Sequence, residues 1–83
     1  MNERPEPAGL GEGRYANYFK VGHNAHEFLL EFGQMFEEEH EPHMYARIVT
    51  SPPYAKALLE TLEESVQQYE AKFGRIPDLD DQE

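Results

Sequence analysis

"VGHNAHEFLLEFGQMF", Val21 to Phe36, admits two incompatible secondary structures, and the fold follows from the choice between them. As a helix, Asn24 is the N-cap and Glu27 takes the capping-box position. Phe28, Leu29, Phe32, Met35 and Phe36 then share a face. As a strand, His26, Phe28, Leu30 and Phe32 alternate with Glu27, Leu29, Glu31 and Gly33. Gly33 speaks against the helix, because an interior glycine costs about 1 kcal/mol relative to alanine. The residues just upstream speak for the strand: Tyr15, Asn17, Phe19 and Val21 alternate with Ala16, Tyr18 and Lys20. Turning the chain about residues 22–25 sets Val21 opposite His26, Phe19 opposite Phe28 and Tyr15 opposite Phe32, with these partners on one side. The hairpin is therefore the favoured reading, with GHNA as its loop.

Working outward, "MYARIVTSPP" places Ile48, Val49 and Thr50 together, all β-branched and poor in helices. The prolines at 52 and 53 hold Ser51 extended. Residues 45–50 are thus expected to be a strand that runs straight into a helix cap. From Pro52 to Phe73 the helical period is clear: Ala55, Leu59, Leu62, Val66, Tyr69 and Phe73 form one apolar stripe, widened by Leu58. Ser51 suits the N-cap and proline suits the first turn. Gly74 can adopt the left-handed C-terminal conformation, and Pro77 prevents continuation. A stripe of this spacing also suits a coiled-coil seam, but it spans barely three heptads and follows a hairpin, so a helix lying on a sheet is preferred.

These elements define an α+β fold: a three-stranded antiparallel sheet, made of a hairpin plus one strand, packed by one long C-terminal helix. Residues 14–76 form the single domain. Residues 1–13, rich in Pro, Gly and Glu, and the acidic residues 77–83 are expected to be disordered tails. The expected core is Phe19, Val21, Phe28, Leu30, Phe32, Ile48, Leu59, Leu62, Val66, Tyr69 and Phe73.

Composition narrows the function classes. A chain of 83 residues buries only about 60–65% of its unfolded surface, so its stability margin is narrow. With no cysteine it can form neither disulfides nor thiolate metal sites. The apolar runs are too short for a membrane span, and Glu3 and Pro5 stand where a signal peptide needs a basic and then apolar stretch; a cytoplasmic location is expected. A net charge of -10 with scattered Lys and Arg argues against nucleic acid as a partner.

"GRYANYFKVGHNAHEFLLEFGQMF" and "ARIVTSPPYAKALLETLEESVQQYEAKFG" resemble a family of short bacterial proteins catalogued only as a domain of unknown function. The family's segments are of the type Y-A-N-Y-F-x-V-G-H-N-A-x-E-F and R-I-V-T-S-P-x-Y-A-K-A-L-L. The likeness covers Gly13 to Gly74. It implies a freestanding bacterial protein with no established activity and supplies no catalytic residues. An aromatic residue often follows GHNA in that pattern; His26 departs from it, which weakens a family-wide role for this histidine.

The chemistry-bearing residues point to no reaction. His23, His26, His40 and His43 fall as two H-x-x-H pairs, and four imidazoles could complete a tetrahedral shell. In the expected fold, however, the pairs sit at opposite ends of the second strand. One chain cannot then gather all four, and solvated loop histidines are the preferred reading. A site between chains, or one pair joined by carboxylates of "EEEHE", is the alternative. "FEEEHEPH" lacks the spacing of a calcium loop. No nucleophile elbow, phosphate-cradling loop or dinucleotide fingerprint is present. No cofactor and no enzymatic activity are expected. The expected role is a self-associating interaction module, a homodimer or higher homo-oligomer with a further protein partner left open. Metal binding by histidines at a chain interface and chaperone-like binding of apolar peptides are the alternatives. The expected dimer contact is the outer face of the sheet, with Tyr18, Leu29, Tyr45 and Val49, or an edge strand.

Overall fold

In the computed structural model, which describes residues 13–81, the stretch from Val21 to Phe36 forms a hairpin and not a helix. Strand β1 spans Tyr18–His23, β2 spans Phe28–Gln34 and β3 spans His43–Thr50. They are antiparallel, with β2 in the centre. Helix α1, Pro52–Phe73, follows β3 after the single residue Ser51. The fold is α+β, as the alternation and the helical stripe imply.

The hairpin register differs from the expected one. Val21 pairs with Leu30 and Phe19 with Phe32, and the loop consists of residues 24–27. Asn24 decides this. Its side-chain Oδ1 accepts hydrogen bonds from the backbone N–H of His26 (2.7 Å) and of Glu27 (2.9 Å). Its own N–H donates to the Glu27 carbonyl at 3.0 Å. One carboxamide thus closes the turn two residues later than the glycine suggests. Each partner moves by four residues, an even number, so every side chain keeps its expected face.

β1 also begins later than expected, because Asn17 replaces a rung of the ladder with its side chain. The Met35 N–H donates to Asn17 Oδ1 (2.7 Å), and Asn17 Nδ2 donates to the Met35 carbonyl (3.2 Å). The Asn17 N–H meanwhile donates to the Gly33 carbonyl at 3.0 Å. β3 begins two residues earlier than expected and contains a bulge: Phe32 pairs with Ala46 and Gly33 with Met44, leaving Tyr45 as the extra residue. Gly33 is buried beneath it. A Cβ at Gly33 would stand 2.6 Å from both the His43 carbonyl oxygen and Met44 Sδ, so the close approach needs glycine.

The helix bounds coincide with those read from the sequence. Ser51 is extended (φ -84°, ψ 160°) as an N-cap should be, but its side chain makes no capping hydrogen bond. Prolines in the first turn have no N–H to satisfy, so little is lost. Gly74 has φ 100° and ψ 171°, a conformation open essentially to glycine alone, but its extended ψ lies outside the expected left-handed helical well. Beyond it, Leu79–Asp81 form a short 3-10 turn. The expected N-terminal tail, apart from Gly13, lies outside the described residues, as do residues 82 and 83.

The expected core is corrected. Among the described residues no hydrophobic side chain is buried. Register and alternation do place Phe19, Val21, Phe28, Leu30, Phe32 and Ile48 on the face toward α1. Yet α1 makes no extensive packing with any strand. Leu59, Leu62, Val66, Tyr69 and Phe73 all remain exposed, Phe73 to 64%. Leu59 and Leu62 face the sheet across an open groove and not in close contact, and dimensions add to this. A helix of 22 residues is about 33 Å long, whereas the longest strand, of eight residues, runs about 26 Å. The stripe is longer than the surface it could cover.

Candidate functional site

On the helix side, Val21, Phe28 and Leu30 of the sheet and Ala55, Leu58, Leu59 and Leu62 of α1 line an open groove of about 540 Å³. Among the described residues, Lys56 is the one charged residue on its wall. The groove lies over the hairpin end of the sheet, where Phe28 pairs with both His23 and Thr50. Toward the other end of this face, Phe19 and Phe32 meet edge to face (centroids 5.9 Å apart), beside the Phe32–Ala46 pair. Phe19 is 59% exposed and Ile48 50%. Farther along α1, Tyr69 and Phe73 touch each other, with ring centroids 4.9 Å apart, but remain exposed. A small-molecule site usually combines an apolar wall with several convergent polar groups. This groove has the wall without them.

The outer face is organised differently. Leu29 and Val49 are cross-strand partners near the hairpin, while Tyr18 pairs with Gly33 nearer the bulge. Between these two groups runs a charged row, Lys20–Glu31–Arg47, in which Arg47 Nε donates to Glu31 Oε2 at 3.0 Å. Tyr45 is half-buried, with the Arg14 guanidinium 3.8 Å above its ring centroid. Its hydroxyl is buried without a hydrogen-bond partner among the described residues. Tyr18 and Leu29 are half-buried as well, and Val49 alone of the four is widely exposed, at 57%. The four residues named from the sequence therefore make two small apolar patches separated by charge. The larger exposed apolar surface is on the helix side. Alternation could assign residues to faces, but nothing in it measures how much of each face the helix leaves uncovered.

The histidines are held apart as the strand order implies. His23 ends β1 and His26 lies in the hairpin loop, whereas His40 lies in the loop before β3 and His43 opens that strand. The seven residues of β2 separate the two groups by about 23 Å. His23 stacks on Phe28 with centroids 5.4 Å apart. His43 Nε2 contacts Glu39 Oε1 at 2.5 Å, and its ring meets Phe36 edge on. Glu38 to His43 line an open hollow, but among the described residues no group of three or more His, Asp or Glu side chains is arranged to hold a metal ion. Nor, among them, is any helix long and apolar enough to cross a membrane.

A short antiparallel sheet with one overlong amphipathic helix defines the class of small α+β protein. The chain belongs to the family described as "Protein of unknown function (DUF3467)", which it matches over residues 6–78. No curated protein and no solved structure matches it.

Proposed function

We propose that this protein is a non-enzymatic interaction module whose folded state is completed by self-association, in the cytoplasm and without a cofactor. The observation that supports this reading is the combination of regular secondary structure with no buried hydrophobic side chain among the described residues. Hydrophobic burial is the main favourable term in folding, and a chain of this size has little to spare. An apolar helix stripe and an apolar sheet face, both left open, supply the missing core when a second copy covers them. Large exposed apolar patches are uncommon on stable monomers.

The test is the mass in solution. Light scattering at tens of micromolar is expected to return twice the 9.6 kDa of one chain. Sedimentation that shows one chain across the same concentrations overturns the proposal.

A further inference from the structure

We infer that the self-association pairs the two α1 helices antiparallel along their apolar stripes, with a two-fold axis at the level of Glu64. The inference rests on the self-association reading and adds its surface and its geometry.

Spacing and exposure carry it together. Ala55, Leu59, Leu62, Val66, Tyr69 and Phe73 recur at steps of four, three, four, three and four, the a/d repeat of a coiled-coil seam. So short a seam yields to a helix lying on a sheet wherever the sheet covers it. Here the sheet does not: α1 buries no residue, and the stripe from Leu59 to Phe73 is 38–64% exposed.

Size and charge set the direction. The stripe runs from alanine and leucine at its N-terminal end to tyrosine and phenylalanine at its C-terminal end. Antiparallel layers set Ala55 against the partner's Phe73, Leu59 against the partner's Tyr69 and Leu62 against the partner's Val66. Each joins a smaller side chain to a larger one, so the seam keeps an even width. Parallel layers would stack phenylalanine on phenylalanine at one end and alanine on alanine at the other. Beside the antiparallel seam, Lys56 falls opposite the partner's Glu70, twice by symmetry, while Glu63 alone meets its like. The Ile76 N–H donates to Glu70 Oε2 at 2.9 Å, and Oε1 can accept from the lysine. The parallel register would flank the seam with Leu58–Glu63 and Ser65–Glu70, neither of them attractive.

The area is sufficient. The exposed parts of Leu58, Leu59, Leu62, Val66, Tyr69 and Phe73 amount to roughly 600 Å² on each copy, and covering most of them removes about 1,000 Å² from the pair, the lower bound of a specific interface. The outer face is the weaker competitor, because its Lys20–Glu31–Arg47 row would have to be desolvated with Leu29 and Val49. A second copy is preferred to a foreign helix because the stripe, reversed, complements itself in both size and charge.

The chain has no cysteine, so one introduced thiol gives one labelling site. The experiment places a nitroxide in full-length Ala57→Cys, Glu64→Cys and Ala71→Cys, at exposed positions on the side of α1 away from the stripe. Double electron–electron resonance then reads the distance between copies, with the mass measured on the same samples. At 1.5 Å per residue, antiparallel pairing offsets the two labels along the axis by about 21 Å at 57 and at 71, and by about zero at 64. The expected result is a two-chain mass with the shortest distance at 64 and longer, matching distances at 57 and 71. Any other pattern, such as equal distances at all three or a steady change from 57 to 71, overturns the helix pairing and leaves self-association standing. A one-chain mass overturns both. Alongside, at about 0.05 M salt, E70K is expected to raise the dimer dissociation constant about fivefold although it makes each chain less negative, and K56E/E70K to restore it within about twofold. An E70K dimer as tight as the native one, or a double variant no tighter than E70K, overturns the inference. Should a charge variant fail to fold, the distance measurement decides.

Discussion

At single positions, the two strand glycines should behave in opposite ways. A methyl group at Gly33 meets the His43 carbonyl oxygen and Met44 at the bulge, and only movement of β3 can relieve the overlap. Gly33→Ala is expected to cost about 1–3 kcal/mol in urea unfolding at fixed protein concentration, as overpacking does. Gly22 has open space where its Cβ would go and no positive φ. Gly22→Ala is expected to be neutral or to stabilise by up to about 1 kcal/mol, by restricting the unfolded chain. Equal losses at both positions would show that the bulge does not set the requirement. The histidines call for a different measurement. With the two pairs held at opposite ends of β2, dialysed protein is expected to retain no stoichiometric zinc, nickel or copper, and chelator should leave the melting temperature unchanged. A structural metal would couple binding to folding, so a large fall in melting temperature on stripping is the contrary result.

Among the elements, the hairpin shows how a side chain can act as backbone. Asn17 makes two hydrogen bonds with Met35 just before the first paired residue of β1, and these hold the chain entering the sheet against the chain leaving β2. Asn17→Ala is expected to destabilise by about 1–2 kcal/mol, and the amide of Met35 should then exchange faster with solvent while those of β3 are little changed. Unaltered exchange at Met35 would mean that water replaces the carboxamide at no cost. The helix illustrates the converse case. Its caps and period set its ends, but its apolar stripe from Leu58 to Phe73 stays exposed within the same chain.

For the whole molecule, charge and apolar area oppose one another. Each chain carries a net charge of -10, so two copies repel, while the proposed contact is apolar. Raising salt from about 0.05 to 0.5 M shortens the Debye length from about 14 to about 4 Å and screens the repulsion. The dimer is expected to tighten, and the melting temperature to rise with both salt and protein concentration. An association that weakens with salt would instead point to a contact built from ion pairs such as Arg47–Glu31.

The secondary structure and the faces were legible in the sequence because both depend on local periodicity. Alternation through Phe28, Leu30 and Phe32 identified β2, the stripe from Ala55 to Phe73 identified α1, and an even register shift left the face assignment unchanged. The register itself was not legible, because the Asn24 carboxamide closes the turn through hydrogen bonds that no spacing rule reveals. Nor was the bulge at Tyr45, which shows only when Gly33 and Met44 are brought together. The candidate surface was the least legible feature: both sheet faces and the helix stripe read as apolar in one dimension. Only the tertiary structure decides which of them the chain covers for itself. It leaves the helix side open: Leu59 and Leu62 stay exposed across the groove from the sheet, and a helix of about 33 Å outruns strands of at most about 26 Å.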